Sequence, residues 1–182
     1  MIRFLDIFIA FIGLVLLSPV LSFIFLMCFL DTRSPLFLQP RVGLDKKVFT
    51  LIKFRTMFVN TPSVPSHLSN PMHVTKLGGL LRKFKLDELP QLYNVLRGDM
   101  SLVGPRPNLV DQYDLIRFRE RLGVFSVRPG ITGRSQLLGL DMSSPEDLAI
   151  EDARGVRGLS VRTYFRVLFL TLAGRGYGDA IK

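Results

Sequence analysis

One cysteine and two histidines are all that this chain carries of the side chains that most often hold metals or form cross-links. Cys28 stands alone in the most apolar stretch, so no intrachain disulfide can form; that fits a reducing compartment such as the cytoplasmic side of a membrane. His67 and His73 lie in or near a Pro/Ser-rich loop without a clustered carboxylate or cysteine, which argues against a structural zinc site. There is no Walker-type GxxxxGK followed by Ser or Thr and no GxSxG, so P-loop and α/β-hydrolase chemistry have no support. No internal repeat is visible, and no second long apolar run follows the first. At 182 residues the chain has room for one compact domain and a terminal element.

What is present is apolar residue content and positive charge. Hydrophobic residues make up 48% and charged residues 21%, too polar for a multi-span membrane protein and too apolar at one end for a simple cytosolic domain. The formal net charge of +9 points to an anionic partner: phosphate, a lipid headgroup or nucleic acid. No nucleic-acid module is recognisable, and the apolar N-terminus turns the reading further from nucleic acid.

From Phe4 to Leu30 the only charged residue is Asp6. A helix of that length measures about 40 Å, enough to cross a bilayer with tilt. The run is too long for a signal peptide and has no small-residue cleavage site. Pro19 removes one backbone hydrogen bond mid-helix and predicts a kink, and the Ser18 hydroxyl could satisfy the carbonyl it frees. Arg3 precedes the segment; Arg33, Arg41, Lys46, Lys47, Lys53 and Arg55 follow it, which predicts a cytoplasmic location for the rest of the chain. A kinked spanning helix and a re-entrant one both satisfy these residues.

Phe37–Gln39 and Lys47–Phe54 are β-prone and joined around Gly43-Leu44-Asp45, predicting a short hairpin. Residues 60–72 read as a loop. Val74–Phe84 reads as a basic amphipathic helix with Leu77, Leu80, Leu81 and Phe84 on one face, suited to a membrane surface or to packing on a core. Leu89–Leu96 and Leu109–Leu122 read as helices, while Gly98–Asn108 and Arg128–Gln136 read as Gly/Pro loops. Ser143-Ser144-Pro145-Glu146 looks like a helix start with proline at the first position. Tyr164–Ala173 is a last apolar helix, too short to span.

The functional groups concentrate at Lys53 and Arg55, at Arg82, at Asp87-Glu88-Leu89-Pro90 and at Pro105-Arg106-Pro107. Two carboxylates directly before a helix commonly cap it. Alternatively one attacks phosphorus while the pair holds a divalent cation, with nearby Lys and Arg neutralising a diphosphate.

The ordered set of Ser18-Pro19, Pro35-Leu36-Phe37 through Gln39, Arg41 and Gly43, Lys53–Met57, Leu81-Arg82-Lys83, LDELPQLYNVLRGDMSLVGPRP from Leu86 to Pro107, and RPGITGRSQ from Arg128 resembles the bacterial sugar transferase family, the monotopic phosphoglycosyl transferases. The resemblance implies that Asp87 attacks the β-phosphate of a UDP-sugar, expels UMP and forms a covalent phosphosugar-aspartate. Undecaprenyl phosphate then takes the phosphosugar, opening a lipopolysaccharide, exopolysaccharide or other glycoconjugate pathway. It implies Mg²⁺ held by Asp87 and Glu88, with Glu88 assisting through the metal or as a base. Lys53, Arg55, Arg82, Pro105, Arg106 and Pro107 are then the substrate-binding set.

The implied fold is mixed α/β, mainly helical with a small antiparallel hairpin and surface amphipathic helices. A re-entrant membrane helix over residues 1–30, broken at Ser18-Pro19, enters one leaflet, and a cytoplasmic catalytic domain over 31–182 lies at the face of the inner membrane. The expected form is a minimal catalytic one, and a second copy or downstream glycosyltransferases are candidate partners. The chain departs from the family at Asn70-Pro71-Met72, at Arg134-Ser135 and over Val161–Val167. Two other classes stay open: a non-catalytic scaffold with a basic face, and a nucleotide-sugar hydrolase.

Overall fold

The computed structural model describes residues 1–61 and 71–176; His67, Asn70 and most of the expected 60–72 loop lie outside them. Helix α1 (Ile2–Thr32) comes first, and it stays helical through Ser18-Pro19. The expected interruption is confined to one missing bond: the carbonyl of Val15, which Pro19 cannot serve, accepts the Ser18 hydroxyl at 2.8 Å. The helix ends where Arg33 takes a left-handed conformation (φ 57°) and donates its N–H to Phe29 O.

Only a narrow stripe of α1 is covered. Asp6, Ala10, Ile24 and Cys28 are buried at helical spacing, and a Cβ on Gly13 would meet Leu92 at 3.3 Å. Phe8, Phe11, Val15, Leu16 and Phe23 face outward and are exposed. Near its start, Arg3 donates to Leu96 O and Met100 O, close to the C-terminus of helix α3 (Gln91–Arg97). Asp6 Oδ1 accepts three bonds, from Ser101 Oγ and Leu102 N at 2.9 Å each and from Tyr164 Oη at 2.8 Å. Burial, and then the bond to Asp6, push the Tyr164 phenol far above its ordinary pKa, so it remains a donor. Asp6→Ala would strand three buried donors. It is expected to cost about 3 kcal/mol or more in detergent thermal unfolding, whereas Asp31→Ala, at an exposed position of the same helix, leaves stability unchanged.

The expected hairpin forms as β1 (Leu36–Val42) paired antiparallel with β2 (Val48–Phe54), Leu36 opposite Phe54 and Val42 opposite Val48, closed by a 3₁₀ turn at Leu44–Lys46. Fully buried Asn94 of α3 fastens the helix to β2, accepting from Ile52 N and donating to Thr50 O. Helix α2 (Lys76–Lys83) starts at Thr75, whose hydroxyl caps Gly78 N. The four apolar residues expected on one face do not share one fate: Leu77 and Leu81 pack inward, while Leu80 and the C-cap residue Phe84 are exposed at 53% and 60%. Gly78 is demanded by contact, since a Cβ there would stand 2.1 Å from Thr56 O.

The two stretches read as Gly/Pro loops are not irregular throughout. Each contains a three-residue strand, β3 (Ser101–Val103) and β4 (Gly130–Thr132), and these pair in parallel. So short a strand within glycine and proline leaves no alternating pattern to read. Helix α4 (Tyr113–Arg121) is shorter than expected, and α5 (Arg134–Leu137) is a single turn. Helix α6 (Pro145–Arg157) begins with the expected proline, and α7 (Val161–Leu172) with a capping box of Ser160 and Thr163. Phe165, Phe169 and Leu172 leave an exposed apolar edge on α7.

Candidate active site

Between α2 and α3 the chain turns sharply. Lys85 adopts φ 56°, and Leu86–Glu88 form one 3₁₀ turn that leads through Leu89 and Pro90 into α3. Leu86 and Leu89 pack with Ile24, Cys28, Phe54 and Leu81, which presses the turn against the C-terminal part of α1. Asp87 and Glu88 are thereby 2% and 6% exposed. Glu88 is not spent on capping the next helix: its Oε1 accepts from Arg106 Nη1 at 3.0 Å.

Arg106 is held from behind by three different elements. Pro105 and Pro107 have no N–H to offer, so the run between them depends on its carbonyls. Gly130 N donates to Pro105 O, Arg119 Nη1 to Arg106 O and Arg41 Nη1 to Pro107 O, each at 2.9 Å. Arg41 is oriented by Gln39 Oε1. Arg119, 1% exposed, also donates to Asn108 Oδ1 and to Asp152 Oδ2, while Asp152 Oδ1 accepts from Ser135 Oγ at 2.5 Å.

The β3–β4 pairing fixes the same run by backbone contact: a Cβ on Gly130 would lie 2.1 Å from Gly104 N, and one on Gly133 2.2 Å from Gly104 O. Gly130→Ala must therefore push β4 off β3 and move Pro105–Pro107. An approximate ångström of misplacement should lower kcat/KM by about 100-fold, read in steady-state kinetics beside a circular-dichroism spectrum that keeps its helical signal.

Of the other expected residues, Lys53 on β2 is buried, its Nζ 5.4 Å from the Phe37 ring centroid, and Arg82 in the last turn of α2 donates from Nε to Thr56 Oγ1 at 2.8 Å. Both elements pack against the turn that carries Asp87 and Glu88. Arg55 directly follows β2. It donates to Ser34 O and Leu36 O and lies over Phe37, tying the exit of α1 to the hairpin. Arg41, Arg119 and Asp152 were not among the candidates, although Arg41 stands in the run that carries the family resemblance, a signal that could have found it. The other two sit on helices where charge is ordinary.

Among the described residues no group of three or more His, Cys, Asp or Glu gathers as a metal cage. Two adjacent carboxylates are nonetheless a fitting donor set for Mg²⁺, which usually takes one or two carboxylates and completes its shell with water and substrate phosphate. A buried carboxylate pair is pressed against an apolar helix, with an arginine on one member and lysine and arginine on the surrounding elements, an arrangement whose cations can offset the charge of a phosphate group.

Comparison with known proteins supplies the family. Residues 1–175 match the family described as bacterial sugar transferase, and the chain belongs to it. It is 36% identical to the galactosyl transferase CpsE of Streptococcus agalactiae over 93% of its length, and 37% identical, again over 93%, to a UDP-glucose:undecaprenyl-phosphate glucose-1-phosphate transferase of Klebsiella pneumoniae. It covers 41% and 39% of those two proteins. An uncharacterized sugar transferase, EpsL of Bacillus subtilis, is 41% identical over 85% of this chain, which covers 77% of EpsL. Against several of the curated relatives that it matches, the chain spans about two fifths of their length.

Proposed function

We propose that the chain transfers a sugar 1-phosphate from a UDP-sugar to undecaprenyl phosphate through an aspartyl intermediate, at the cytoplasmic face of the inner membrane. The observation that carries this is the buried Asp87–Glu88 turn, wedged against α1 and ion-paired to a braced Arg106. An Asp87 carboxylate oxygen attacks the β-phosphorus; the bond from that phosphorus to the bridging oxygen breaks, and UMP leaves with the electron pair. A phosphate oxygen of the lipid then attacks the same phosphorus, the aspartyl bond breaks, and a polyprenyl-diphosphate sugar departs. Arg106, Lys53 and Arg82 offset the charge of the diphosphate, and Arg106 orients Glu88. Mg²⁺ held by Asp87 and Glu88 would supply further charge neutralisation on the diphosphate oxygens.

A re-entrant course for α1 is part of the same reading. A helix that crosses a bilayer carries its ends to opposite faces of a hydrocarbon layer about 30 Å thick. Here Asp6 near one end bonds to Ser101, Leu102 and Tyr164, and Cys28 near the other packs with Phe54 and Leu81, so both ends rest on one domain. Entry into a single leaflet accommodates this. The exposed Leu80, Phe84, Phe165, Phe169 and Leu172 supply further apolar surface for the interface.

The test is UMP release from a panel of UDP-sugars with Mg²⁺, with and without undecaprenyl phosphate. Lipid-dependent turnover is the expected result. Lipid-independent UMP release would mark a hydrolase, and no turnover with any sugar would mark a scaffold.

A further inference from the structure

The proposed transfer requires a place for the nucleoside half of the donor, and the site described above provides only for its phosphates. A cavity of about 340 Å³ begins at Gly104 and Pro105, one residue from Arg106, and extends between α5, α6 and α7. That volume lies within the usual range of small-molecule sites, about 300–1,000 Å³. Its walls include Leu137, Val167 and Leu170, an apolar floor of the kind that takes a flat base. Arg134, Arg154, Arg166 and Arg175 also line it, and all four are exposed. Glu151 pairs with the first two, so four cations against one carboxylate leave the mouth net positive. Asp152 reaches the wall too, but its charge is matched by Arg119. Arg134-Ser135, a departure noted in the sequence, falls here: Arg134 lines the cavity and Ser135 holds Asp152.

Two other depressions suit a nucleotide less. The groove along Leu14, Leu21, Phe25, Phe54 and Pro90 is largely apolar and is walled by the membrane helix. The void beside Pro107 and Arg119, at about 10 Å³, has room for no more than one water.

Building on the proposed transfer, we infer that the α5–α6–α7 cavity holds the nucleoside 5′-phosphate half of the donor, its base on the apolar floor and its phosphate between the arginine mouth and Arg106. The Asp152–Arg119 pair then joins the cavity wall to the Arg106 backbone, so an occupant there sits two ion pairs, Asp152–Arg119 and Arg106–Glu88, from the turn that carries Asp87.

The experiment uses the full chain in nanodiscs of defined phospholipid, titrated calorimetrically with UMP and, separately, with inorganic phosphate. Two variants probe different features: Val156→Trp, which fills the cavity, and Arg166→Glu, which reverses a charge at its mouth. UMP should bind more tightly than inorganic phosphate to the wild type. Both variants should weaken UMP by about tenfold, raise the KM for the UDP-sugar in parallel, lower kcat far less and leave the KM for undecaprenyl phosphate where it was. Unchanged UMP affinity in the two folded variants would overturn the assignment. So would a rise confined to the lipid KM, which would give the cavity to the acceptor's headgroup. UMP binding needs no turnover, so it judges the cavity even if the wild type transfers nothing; absent transfer counts against the reaction alone.

Discussion

Asp87→Asn is expected to reduce UMP release by a factor on the order of 10⁴ or more, the scale seen when a covalent nucleophile is removed. It should also abolish a phosphosugar adduct that intact-mass spectrometry detects on the wild type incubated with donor and no lipid. The substitution is nearly isosteric at a position 2% exposed, so the fold should survive. What it removes is the proposed nucleophilic oxygen and its charge together. Glu88→Gln makes the informative partner. It keeps the nucleophile but weakens the 3.0 Å contact with Arg106, so its adduct should still form, more slowly. Full turnover by Asp87→Asn would remove the aspartyl intermediate from consideration.

Arg119→Leu is expected to be the most destabilising single change outside α1. Arg119 and Asp152 have side chains 2% and 1% exposed and joined at 2.5 Å, and removing one partner leaves the other charged and buried. Such losses run to about 3–5 kcal/mol, a large share of a total stability of about 5–15 kcal/mol. Replacing both with apolar residues of similar volume should restore much of that stability. It should not restore activity, because the Arg106 carbonyl would still lack its Arg119 donor. Denaturant unfolding and steady-state kinetics on the two single variants and the double variant separate the effects: recovery of both together would mean that Arg119 serves stability alone.

Local features were readable because short-range physics decides them. The β-prone runs around Gly43-Leu44-Asp45 became the hairpin, Ser18 took the carbonyl that Pro19 freed, and Pro145 opened α6. The carboxylate pair and its cationic neighbours could be picked out by residue type; that Arg55 binds the carbonyls of Ser34 and Leu36 could not. What resisted reading was long-range. The β3–β4 pairing joins residues some thirty positions apart through three-residue strands, and no periodicity marks so short a segment. Nor does a helical pattern announce that Leu80 and Phe84 will stay exposed while Leu77 and Leu81 are covered. That depends on which elements arrive against α2.

The sequence by itself determined the apolar helix, the hairpin and the charge, since these follow from composition and from neighbours a few residues apart. Tertiary structure alone decided that Asp6 would be a buried anchor for Ser101, Leu102 and Tyr164. It decided, too, that Arg41, Arg119 and Gly130 would each hold one carbonyl of the Pro105–Pro107 run. The physical reason is that a buried polar group must find a partner wherever the fold brings one, and in this protein those partners lie far away along the chain.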